Sequence, residues 1–284
     1  MQLNIVREGD NLKALREIPS DTIDLIYCDP PFLTGRDFTE YEDNTFTGGL
    51  PETFEWLAYV TTPKQLAYYA FLIPRLQEME TVLKETGALY YHCDHRTSAT
   101  IRLILNQIFG QPAFRNEIIW TYKTTAVYDN ARRIFKNTFD NILFYAKAEH
   151  DFTPQYEPRS RKQTLAMYPY TDSDGRRYRH RNDGEASSLY DIREYSDEGK
   201  GIRMGTCWTD IGLAKPKERT GYPTQKPIEL LRRIIKASSE KGDTVLDAFC
   251  GSGTALLAAK QLGRNYIGID ANSEAVYIAT KRLA

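Results

Sequence analysis

The sequence predicts an α/β fold built around an open sheet, and three observations support this. The apolar run from Ile23 to Cys28 mixes branched and aromatic residues, as a buried strand does. Residues 245–254 have the pattern of a strand, a glycine-rich turn and the start of a helix. Most other segments alternate between helical and strand patterns. Because open α/β sheets bind ligands at the carboxyl ends of their strands, candidate sites are sought there.

The first strand end carries Asp29, Pro30, Pro31 and Phe32. The two prolines cannot continue a sheet because they lack the N–H that the ladder needs. Asp29 and the carbonyl of Pro30, which the following proline restricts to extended forms, provide two acceptors for an exocyclic amino group. Phe32 offers a face on which a base can stack. On these residues alone, a strand that simply ends in a Pro-Pro turn explains the pattern equally well.

The second strand end carries the turn Gly251-Ser252-Gly253-Thr254, and a further strand from Tyr266 ends at Asp270. Such a turn lets the backbone approach a ligand closely, and a terminal acid can bind ribose hydroxyls. The spacing is not G-x-G-x-x-G, so it does not favour a dinucleotide.

Together these stretches resemble the amino-group DNA methyltransferases. Asp-Pro-Pro-aromatic is the catalytic motif of that family, and Asp-x-Phe-x-Gly-Ser-Gly-Thr is its S-adenosylmethionine motif. The catalytic motif comes first in the chain, which is the permuted order of the β class. Residues 87–94 and 114–120 also look like this family, particularly type III modification subunits and their solitary relatives. The resemblance implies a Rossmann-like S-adenosylmethionine-dependent methyltransferase fold in permuted order, with an inserted target-recognition region.

The resemblance also implies a set of cofactor-binding residues. Asp10 would reach the adenine of the cofactor, Lys226 the carboxylate of its methionine, Asp247 the methionine end, and Asp270 the ribose. The alternatives are a helix cap for Asp10 and a surface position for Lys226. The full implied set is Asp10, Asn11, Thr224, Gln225, Lys226, Asp247, Phe249, Gly251, Gly253, Thr254 and Asp270.

The remaining elements follow from hydrophobic periodicity and capping signals. Predicted strands are Leu3–Val6, Ala88–His92, Phe114–Tyr122 and Phe139–Ala146. Predicted helices are Asn11–Ile18, Pro63–Thr86 with a kink at Pro74 and an end at Gly87, a helix capped by Thr97 or Ser98, Pro227–Ser239, Thr254–Leu262, and a last helix capped by Asn272 or Ser273.

Apolar periodicity fades after residue 150. We therefore predict a catalytic and cofactor-binding domain over residues 1–150 and 216–284, and a target-recognition insertion over 151–215, where the resembling family has its recognition region. The predicted DNA contacts are Arg176, Arg177, Arg179 and Arg181, together with Arg36 in a segment that follows the catalytic motif as a mobile lid. The alternatives are a solvated loop and, for Arg36, pairing with a nearby acid.

Composition limits the ligands and the cellular location expected for the 284-residue chain. Its formal net charge is −1, so any charge that binds nucleic acid must be local. Four widely spaced cysteines give no disulfide framework and fit a reducing compartment. With neither a signal peptide nor an apolar run of membrane length in view, we expect a cytoplasmic protein with no membrane contact.

A metal site is not expected at the run His92-Cys93-Asp94-His95. Neighbouring residues of a strand point to opposite faces, so they cannot all converge on one ion. We interpret the run as a polar cluster at a strand end, near the pocket of the target base.

The expected reaction, implied by the resemblance, is methyl transfer from S-adenosylmethionine to adenine N6 of a base flipped out of double-stranded DNA. Asp29 and the Pro30 carbonyl would hold both amino hydrogens, and Phe32 would stack on the base. The alternatives are cytosine N4 methylation, where the family more often has Ser-Pro-Pro-Tyr, a nucleotide-binding oxidoreductase, and a non-catalytic DNA-binding subunit. A homodimer and a cognate restriction nuclease are the further partners considered.

Overall fold

The computed structural model describes residues 1–33, 50–122, 135–180 and 193–284. They form two compact units, of which the larger combines residues 1–153 with 206–284 and the smaller spans residues 154–205. Residues 206–215, predicted to belong to the insertion, therefore lie in the larger unit. The reason is that Cys207 and Trp208 pair with the strand that contains Ile119 and Trp120.

The larger unit is built on an eight-stranded mixed sheet. Its strands are β1 (Ile5–Glu8), β2 (Ile23–Cys28), β3 (Leu83–Cys93), β4 (Phe114–Thr121), β5 (Phe139–Ala146), β11 (Cys207–Trp208), β12 (Thr244–Asp247) and β13 (Asn265–Asp270). The spatial order is β1-β13-β12-β2-β3-β5-β4-β11. β5 runs antiparallel to both of its neighbours, and all other pairs are parallel.

Seven α-helices are described in this unit. They are α1 (Asn11–Arg16), α2 (Leu57–Val60), α3 (Pro63–Val82), α4 (Ser98–Phe109), α6 (Ile228–Ser238), α7 (Thr254–Gln261) and α8 (Ser273–Leu283). Within the described ranges, no helix is both long enough and apolar enough to cross a membrane.

The strand order brings the two ends of the chain together. Leu25 of β2 is paired with Val245 of β12, and Glu8 of β1 is paired with Asp270 of β13. Because these strands are parallel, the residues that follow β2, β12 and β13 emerge at the same edge of the sheet. The early Asp-Pro-Pro motif and the late glycine turn are therefore neighbours.

The sheet is buried on both faces. Ile26 and Cys28 belong to one apolar cluster, whereas Leu25 and Tyr27 belong to a second cluster on the opposite face. This alternation follows from the two-residue period of a strand. It explains why β2 reads as a nearly continuous apolar run.

The observed bounds confirm some predictions and correct others. β2 and β5 have the predicted bounds. The predicted helix end at Gly87 is wrong, because α3 ends at Val82 and β3 begins at Leu83, where parallel pairing with Ile23 takes over the backbone. Smaller shifts affect β1, which spans Ile5–Glu8, and α6, for which Pro227 is the N-cap.

The smaller unit contains short elements around one buried ring. These are β6 (Tyr156–Glu157), α5 (Arg161–Met167), β7 (Tyr170–Thr171), β8 (Arg177–His180), β9 (Arg193–Tyr195) and β10 (Ile202–Arg203). β7, β8 and β9 form an antiparallel sheet, and β6 pairs with β10. Tyr168 is fully buried.

Candidate active site

A large cavity lined by described residues lies at the sheet edge where β2, β12 and β13 end. Its volume is about 1130 Å³. A pocket for one drug-sized ligand measures roughly 300–1000 Å³, so the cavity has room for a cofactor-sized molecule and more. The predicted catalytic and cofactor residues that line it are Asp10, Asn11, Asp29, Pro30, Pro31, Phe32, Thr224, Gln225, Lys226, Asp247, Phe249, Gly251, Thr254 and Asp270.

At one end of the cavity, Asp29 pairs with Lys226 from the other end of the chain. The Lys226 Nζ lies 2.6 Å from the Asp29 Oδ2, and both side chains are about 85% buried. The Tyr27 hydroxyl lies 3.5 Å from the same oxygen. Within the described part of the chain, the Asp29 Oδ1 accepts no hydrogen bond. One carboxylate oxygen is thus held, and the second is left to receive a donor.

Phe32 is held between a cation and an imidazole. The Lys226 Nζ lies 4.9 Å from the centre of its ring, and the His92 ring centre lies 5.7 Å away at an angle of 47°. A cation over an aromatic face is attracted by the ring quadrupole. The ring that was predicted to stack on a base therefore has a defined position beside Asp29.

Behind Asp29 lies a chain of buried polar side chains. The Tyr27 hydroxyl is 2.7 Å from the His92 Nδ1, and the His92 Nε2 is 3.2 Å from the Asp140 Oδ2. Tyr122 donates its hydroxyl hydrogen to the Asp140 Oδ1 across 3.1 Å. Burial alone would raise the pKa of Asp140, but hydrogen bonds from His92 and Tyr122 and the positive charge of Lys226 hold that pKa below its usual value.

Of the run from His92 to His95, His92 lies beside the catalytic motif, in agreement with the interpretation as a polar cluster. Asp94 instead pairs with Arg96, and the ring of His95 lies against Phe139. Among the described residues, no three His, Cys, Asp or Glu side chains are grouped to hold a metal ion. Sequence reasoning missed Tyr27 and Asp140, because each of them reads as an ordinary strand residue.

At the other end of the cavity, backbone groups hold Asp270. The Gly251 N–H donates to the Asp270 Oδ2 across 2.7 Å, and the Asn272 N–H donates to the Oδ1 across 2.9 Å. Burial raises the pKa of Asp270, and these two hydrogen bonds oppose that rise. Gly251 has a φ of +47°, a left-handed conformation that glycine adopts without strain.

The rest of the glycine turn is packed tightly against the last helix. A Cβ on Gly253, whose φ is +71°, would lie 2.8 Å from the Cβ of Ala279. Thr254 is buried, and its hydroxyl accepts a hydrogen bond from the Arg282 Nη1 at 3.1 Å. Gly253 thus serves close packing of α8, while Gly251 lines the cavity.

Asp247 is the most deeply buried acid of the site, with 3% of its surface exposed. It accepts the Phe249 N–H across 3.1 Å. Burial raises the pKa of Asp247 well above its usual value, and the charges of Asp29 and Asp270 act in the same direction. An ionised Asp247 therefore has a high free energy in this structure.

Asp10 and Asn11 are tied to both the sheet edge and α3. The Asp10 carboxylate accepts the Leu12 N–H at 2.7 Å, which confirms the helix cap, and it pairs with Arg75 at 3.1 Å. Asn11 donates to the Ala248 carbonyl at 2.8 Å and accepts from the Arg75 Nε at 2.6 Å. Arg75 was not predicted from the sequence, because it lies within an ordinary helical pattern.

The segment from Thr224 to Lys226 divides into two roles. The Gln225 side chain accepts the Thr220 N–H at 2.8 Å and donates to the Glu218 carbonyl at 2.7 Å, so it braces its own loop. The alternative of a surface position for Lys226 is wrong, because the side chain is 14% exposed. Contact of Lys226 with a methionine carboxylate stays a prediction.

The cavity is acidic. Of the described residues that line it, five are acids, namely Asp10, Asp29, Asp140, Asp247 and Asp270, and two are cations, namely Arg75 and Lys226. Both cations are already paired with carboxylates. This arrangement suits a ligand with a positive charge and hydroxyl groups, and it disfavours a pyrophosphate beside the glycine turn.

Three arginines of the predicted DNA surface form ion pairs or hydrogen bonds with other residues of the smaller unit. Arg176 pairs with Asp197 and Glu198 at 3.0 and 2.8 Å, and Arg179 pairs with Glu194 at 2.7 Å. Arg177 donates to the Tyr168 carbonyl across 3.4 Å. Arg36 and Arg181, like the predicted lid, lie outside the described residues. DNA contact by these arginines stays a prediction, and at Arg176 and Arg179 it requires phosphate to replace a carboxylate.

Comparison with known proteins gives consistent matches along the chain. The model of the family described as DNA methylase matches residues 23–281. Type II methyltransferase M.HpaI of Haemophilus parainfluenzae is 31% identical over 273 residues, which cover 96% of this chain and 71% of the relative. DNA adenine methyltransferase YhdJ of Escherichia coli K12 is 28% identical over 281 residues, which cover 97% and 81%. The solved M1.HpyAVI–SAM complex has a TM-score of 0.59 at 19% identity, with 98% of each chain covered, and confirms the predicted α/β fold.

Proposed function

The chain belongs to the DNA methylase family, and from that premise we propose that it methylates adenine N6 in double-stranded DNA with S-adenosylmethionine as methyl donor. The observation that carries the proposal is the cavity in which Asp29 of the Asp-Pro-Pro-Phe motif and the glycine turn with Asp270 lie together. Neither feature alone requires this reaction, but one cavity supplies both a binding site for a cationic nucleoside and an acceptor for an amino group.

The residues of the glycine-turn end fit the cofactor. Asp270, held by two backbone N–H groups, retains lone pairs for ribose hydroxyls. Asp10, Asn11 and Asp247 provide further acceptors, and Phe249 provides an apolar wall. The excess of acids matches the positive charges of a sulfonium and an ammonium group. S-adenosylmethionine supplies an electrophilic methyl group when it is bound.

Asp29 orients the target amino group. That nitrogen is a poor nucleophile because its lone pair is delocalised into the ring. The Asp29 Oδ1, to which no described residue donates, and the Pro30 carbonyl accept its two hydrogens, which draws the nitrogen toward tetrahedral geometry, and Phe32 stacks on the base. The base must leave the duplex to reach Asp29, at a cost of a few kcal/mol. Positioning of this kind is a large part of catalysis.

Adenine is favoured over cytosine by the acid itself and by the relatives. YhdJ is named a DNA adenine methyltransferase. Asp29 also matches the motif of adenine-specific members, whereas members that methylate cytosine N4 more often have serine there. Cytosine N4 methylation is the second candidate, since it uses the same chemistry on another amino group.

The finer assignments also belong to this proposal. The early Asp29 motif and the late Gly251 turn support the permuted order of the β class, and the similarity to type III modification subunits rests on sequence motifs alone. A homodimer, a cognate restriction nuclease and a cytoplasmic location are compatible with this proposal.

The smaller unit is the proposed target-recognition region. Tyr170, Tyr178 and Tyr195 lie directly opposite one another in the three strands, so their rings share one face. The Arg193 guanidinium lies 4.6 Å from the centre of the Tyr178 ring, and the Arg176 guanidinium lies 4.0 Å from that of Tyr195. A face of aromatic rings and guanidinium groups suits stacking and phosphate contact. Arg179 alternates to the opposite face, where its pairing with Glu194 is structural.

The test is product identification. The protein is incubated with labelled S-adenosylmethionine and unmethylated DNA of mixed sequence, the DNA is digested, and the nucleosides are identified by mass. N6-methyladenine supports the proposal, and N4-methylcytosine shifts it to the second candidate. Binding of the cofactor without transfer to any DNA contradicts a catalytic role. For the recognition unit, Tyr178→Ala should weaken DNA binding without changing cofactor affinity.

A further inference from the structure

A continuous chain of buried polar groups leads from Asp29 into the sheet. It runs from the Asp29 Oδ2 to the Tyr27 hydroxyl at 3.5 Å, to the His92 Nδ1 at 2.7 Å, and from the His92 Nε2 to Asp140 at 3.2 Å. Tyr27, His92 and Asp140 lie on the adjacent strands β2, β3 and β5, and their exposed fractions are 2%, 0% and 7%. Burying polar side chains costs free energy, so a buried chain of this kind calls for a functional explanation.

The partners define the proton positions in this chain. The His92 Nε2 faces a carboxylate, so in the neutral ring it carries the hydrogen and Nδ1 is the acceptor. The Tyr27 hydroxyl then donates to Nδ1. If Nδ1 gains a proton, the direction reverses: Nδ1–H donates to the Tyr27 oxygen, and the hydroxyl hydrogen turns to Asp29. The chain therefore has two states that differ by one proton on His92.

We propose that Tyr27, His92 and Asp140 form a relay that removes, through Asp29, the proton that the target amino group loses on methylation. The inference rests on the proposed function and deepens it. Tyr27 and His92 act through Asp29, so they are positioning and relay residues and not residues that touch the base.

Each transfer balances. The amino nitrogen would form a bond to the methyl carbon while the bond from that carbon to the sulfonium sulfur would break, with its electron pair left on sulfur. The nitrogen would then carry the positive charge, and one of its N–H bonds would break with the electron pair kept on nitrogen. The Asp29 carboxylate takes this proton, and rotation about its Cβ–Cγ bond brings the proton to the side of Tyr27. The proton passes to the Tyr27 oxygen while the hydroxyl proton of Tyr27 passes to the His92 Nδ1. Asp29 returns to a carboxylate, and the imidazolium faces Asp140.

The charges around the relay favour this direction. An imidazole is in general a stronger base than a carboxylate, by roughly 2.5 pKa units in model compounds. The Lys226 Nζ lies 2.6 Å from the Asp29 Oδ2, and the His92 Nε2 lies 3.2 Å from the Asp140 Oδ2, so a cation stands at the start of the relay and an acid at its end. The other titratable groups that act on Tyr27 are Cys28 and Asp247. Tyr122 and Asp140 line the cavity, which gives the imidazolium proton a route to water after product release.

The first test is Tyr27→Phe, which removes one hydroxyl and keeps the ring. The matched control is Tyr90→Phe, because Tyr90 is the register partner of Tyr27 on β3 and its buried hydroxyl bonds to the Ser238 Oγ at 2.7 Å, outside the relay. Single-turnover transfer is measured at saturating cofactor. We expect roughly a hundredfold loss for Tyr27→Phe, with unchanged cofactor affinity, and a wild-type rate for Tyr90→Phe.

The second test is His92→Gln, which can keep hydrogen bonds on both sides but accepts no proton. At saturating cofactor, His92→Gln should therefore lose most of the single-turnover rate, while cofactor affinity stays at the wild-type value. Wild-type single-turnover rates in both Tyr27→Phe and His92→Gln would overturn the relay.

A third measurement does not depend on turnover. The chain has four histidines, so the ¹⁵N signals of the His92 ring can be assigned by substitution. The relay requires the Nε2–H tautomer in the neutral ring, and the Nδ1–H tautomer would contradict it. If the wild-type protein methylates no DNA at all, the proposed function fails on that result alone. The tautomer of His92 would still show whether the hydrogen-bonded chain has the proton arrangement that the relay requires.

Discussion

The two ends of the cavity hold their strand-terminal acids in different ways. At the end of β13, the backbone N–H groups of Gly251 and Asn272 hold Asp270. At the end of β2, the Lys226 side chain holds the Oδ2 of Asp29, with the Tyr27 hydroxyl 3.5 Å from it, and no described residue donates to the Oδ1. Backbone donors of a tight turn have a fixed direction, whereas a lysine is a flexible point charge that can change partners. We infer from this difference that Asp270 serves as a rigid binding group and Asp29 as an adjustable reacting group.

The strongest test of this difference is Asp29→Asn. The amide cannot carry a full negative charge or accept the departing proton, so we expect methyl transfer to fall by at least about a thousandfold. Cofactor affinity, measured by calorimetry, should stay within about twofold because Asp29 belongs to the reacting end. Joint loss of transfer and of cofactor binding would mean that the two ends do not have separate roles.

Asp270→Asn should have the complementary effect. Loss of one charged acceptor for the ribose hydroxyls should weaken cofactor binding by roughly 10- to 100-fold, which corresponds to about 1.4–2.8 kcal/mol. Transfer at saturating cofactor should change much less. Because burial raises the pKa of Asp270, wild-type affinity should also begin to fall at a pH above the usual value of 3.8 as the carboxylate becomes protonated. Unchanged affinity in calorimetry would contradict the ribose role.

Lys226→Met distinguishes two candidate roles of one side chain, namely holding Asp29 and binding the cofactor. If Lys226 serves Asp29, transfer should fall about tenfold at unchanged cofactor affinity, since the carboxylate loses its ionic partner. If it binds the methionine carboxylate of the cofactor, affinity should fall instead. The exposed Lys236 on α6 offers a control, since Lys236→Met should leave both quantities at wild-type values.

Asp247→Asn should raise stability, which is the smallest effect expected. Since the pKa of Asp247 is raised in the folded protein, its ionised form destabilises the fold, and wild-type stability falls as pH rises from 3.8 through the raised value. The amide can still accept the Phe249 N–H. At pH 7 we expect an increase in Tm of roughly 2–4 °C, which disappears toward pH 4. A lower Tm at neutral pH would show that the charge is compensated.

Much of the fold could be predicted from local patterns. β2 and β5 have the predicted bounds because short runs rich in branched and aromatic residues favour a strand, and in β2 the following Asp29 and two prolines also mark its end. The helix cap at Asn272 could also be predicted, because it depends only on neighbouring residues. Its side chain accepts the N–H groups of Glu274 and Ala275, two and three residues away.

The boundary between α3 and β3 could not be predicted in this way. Residues 83–86 continue a helical pattern, but Leu83 is paired with Ile23 in the sheet. Tertiary pairing satisfies the backbone groups of this stretch better than one more helical turn would, and it overrides the local preference.

For the candidate site, local sequence patterns were enough to predict the chemical groups and the strand ends from which they project. Their partners are visible only in the folded chain: Lys226 on Asp29, Arg75 on Asp10, and Asp140 on His92. These contacts join residues far apart in the chain, and the hydrophobic pattern does not specify which strands, helices and turns become neighbours. An acid at a strand end is a local property, whereas what neutralises, orients or protonates it depends on which strands become its neighbours.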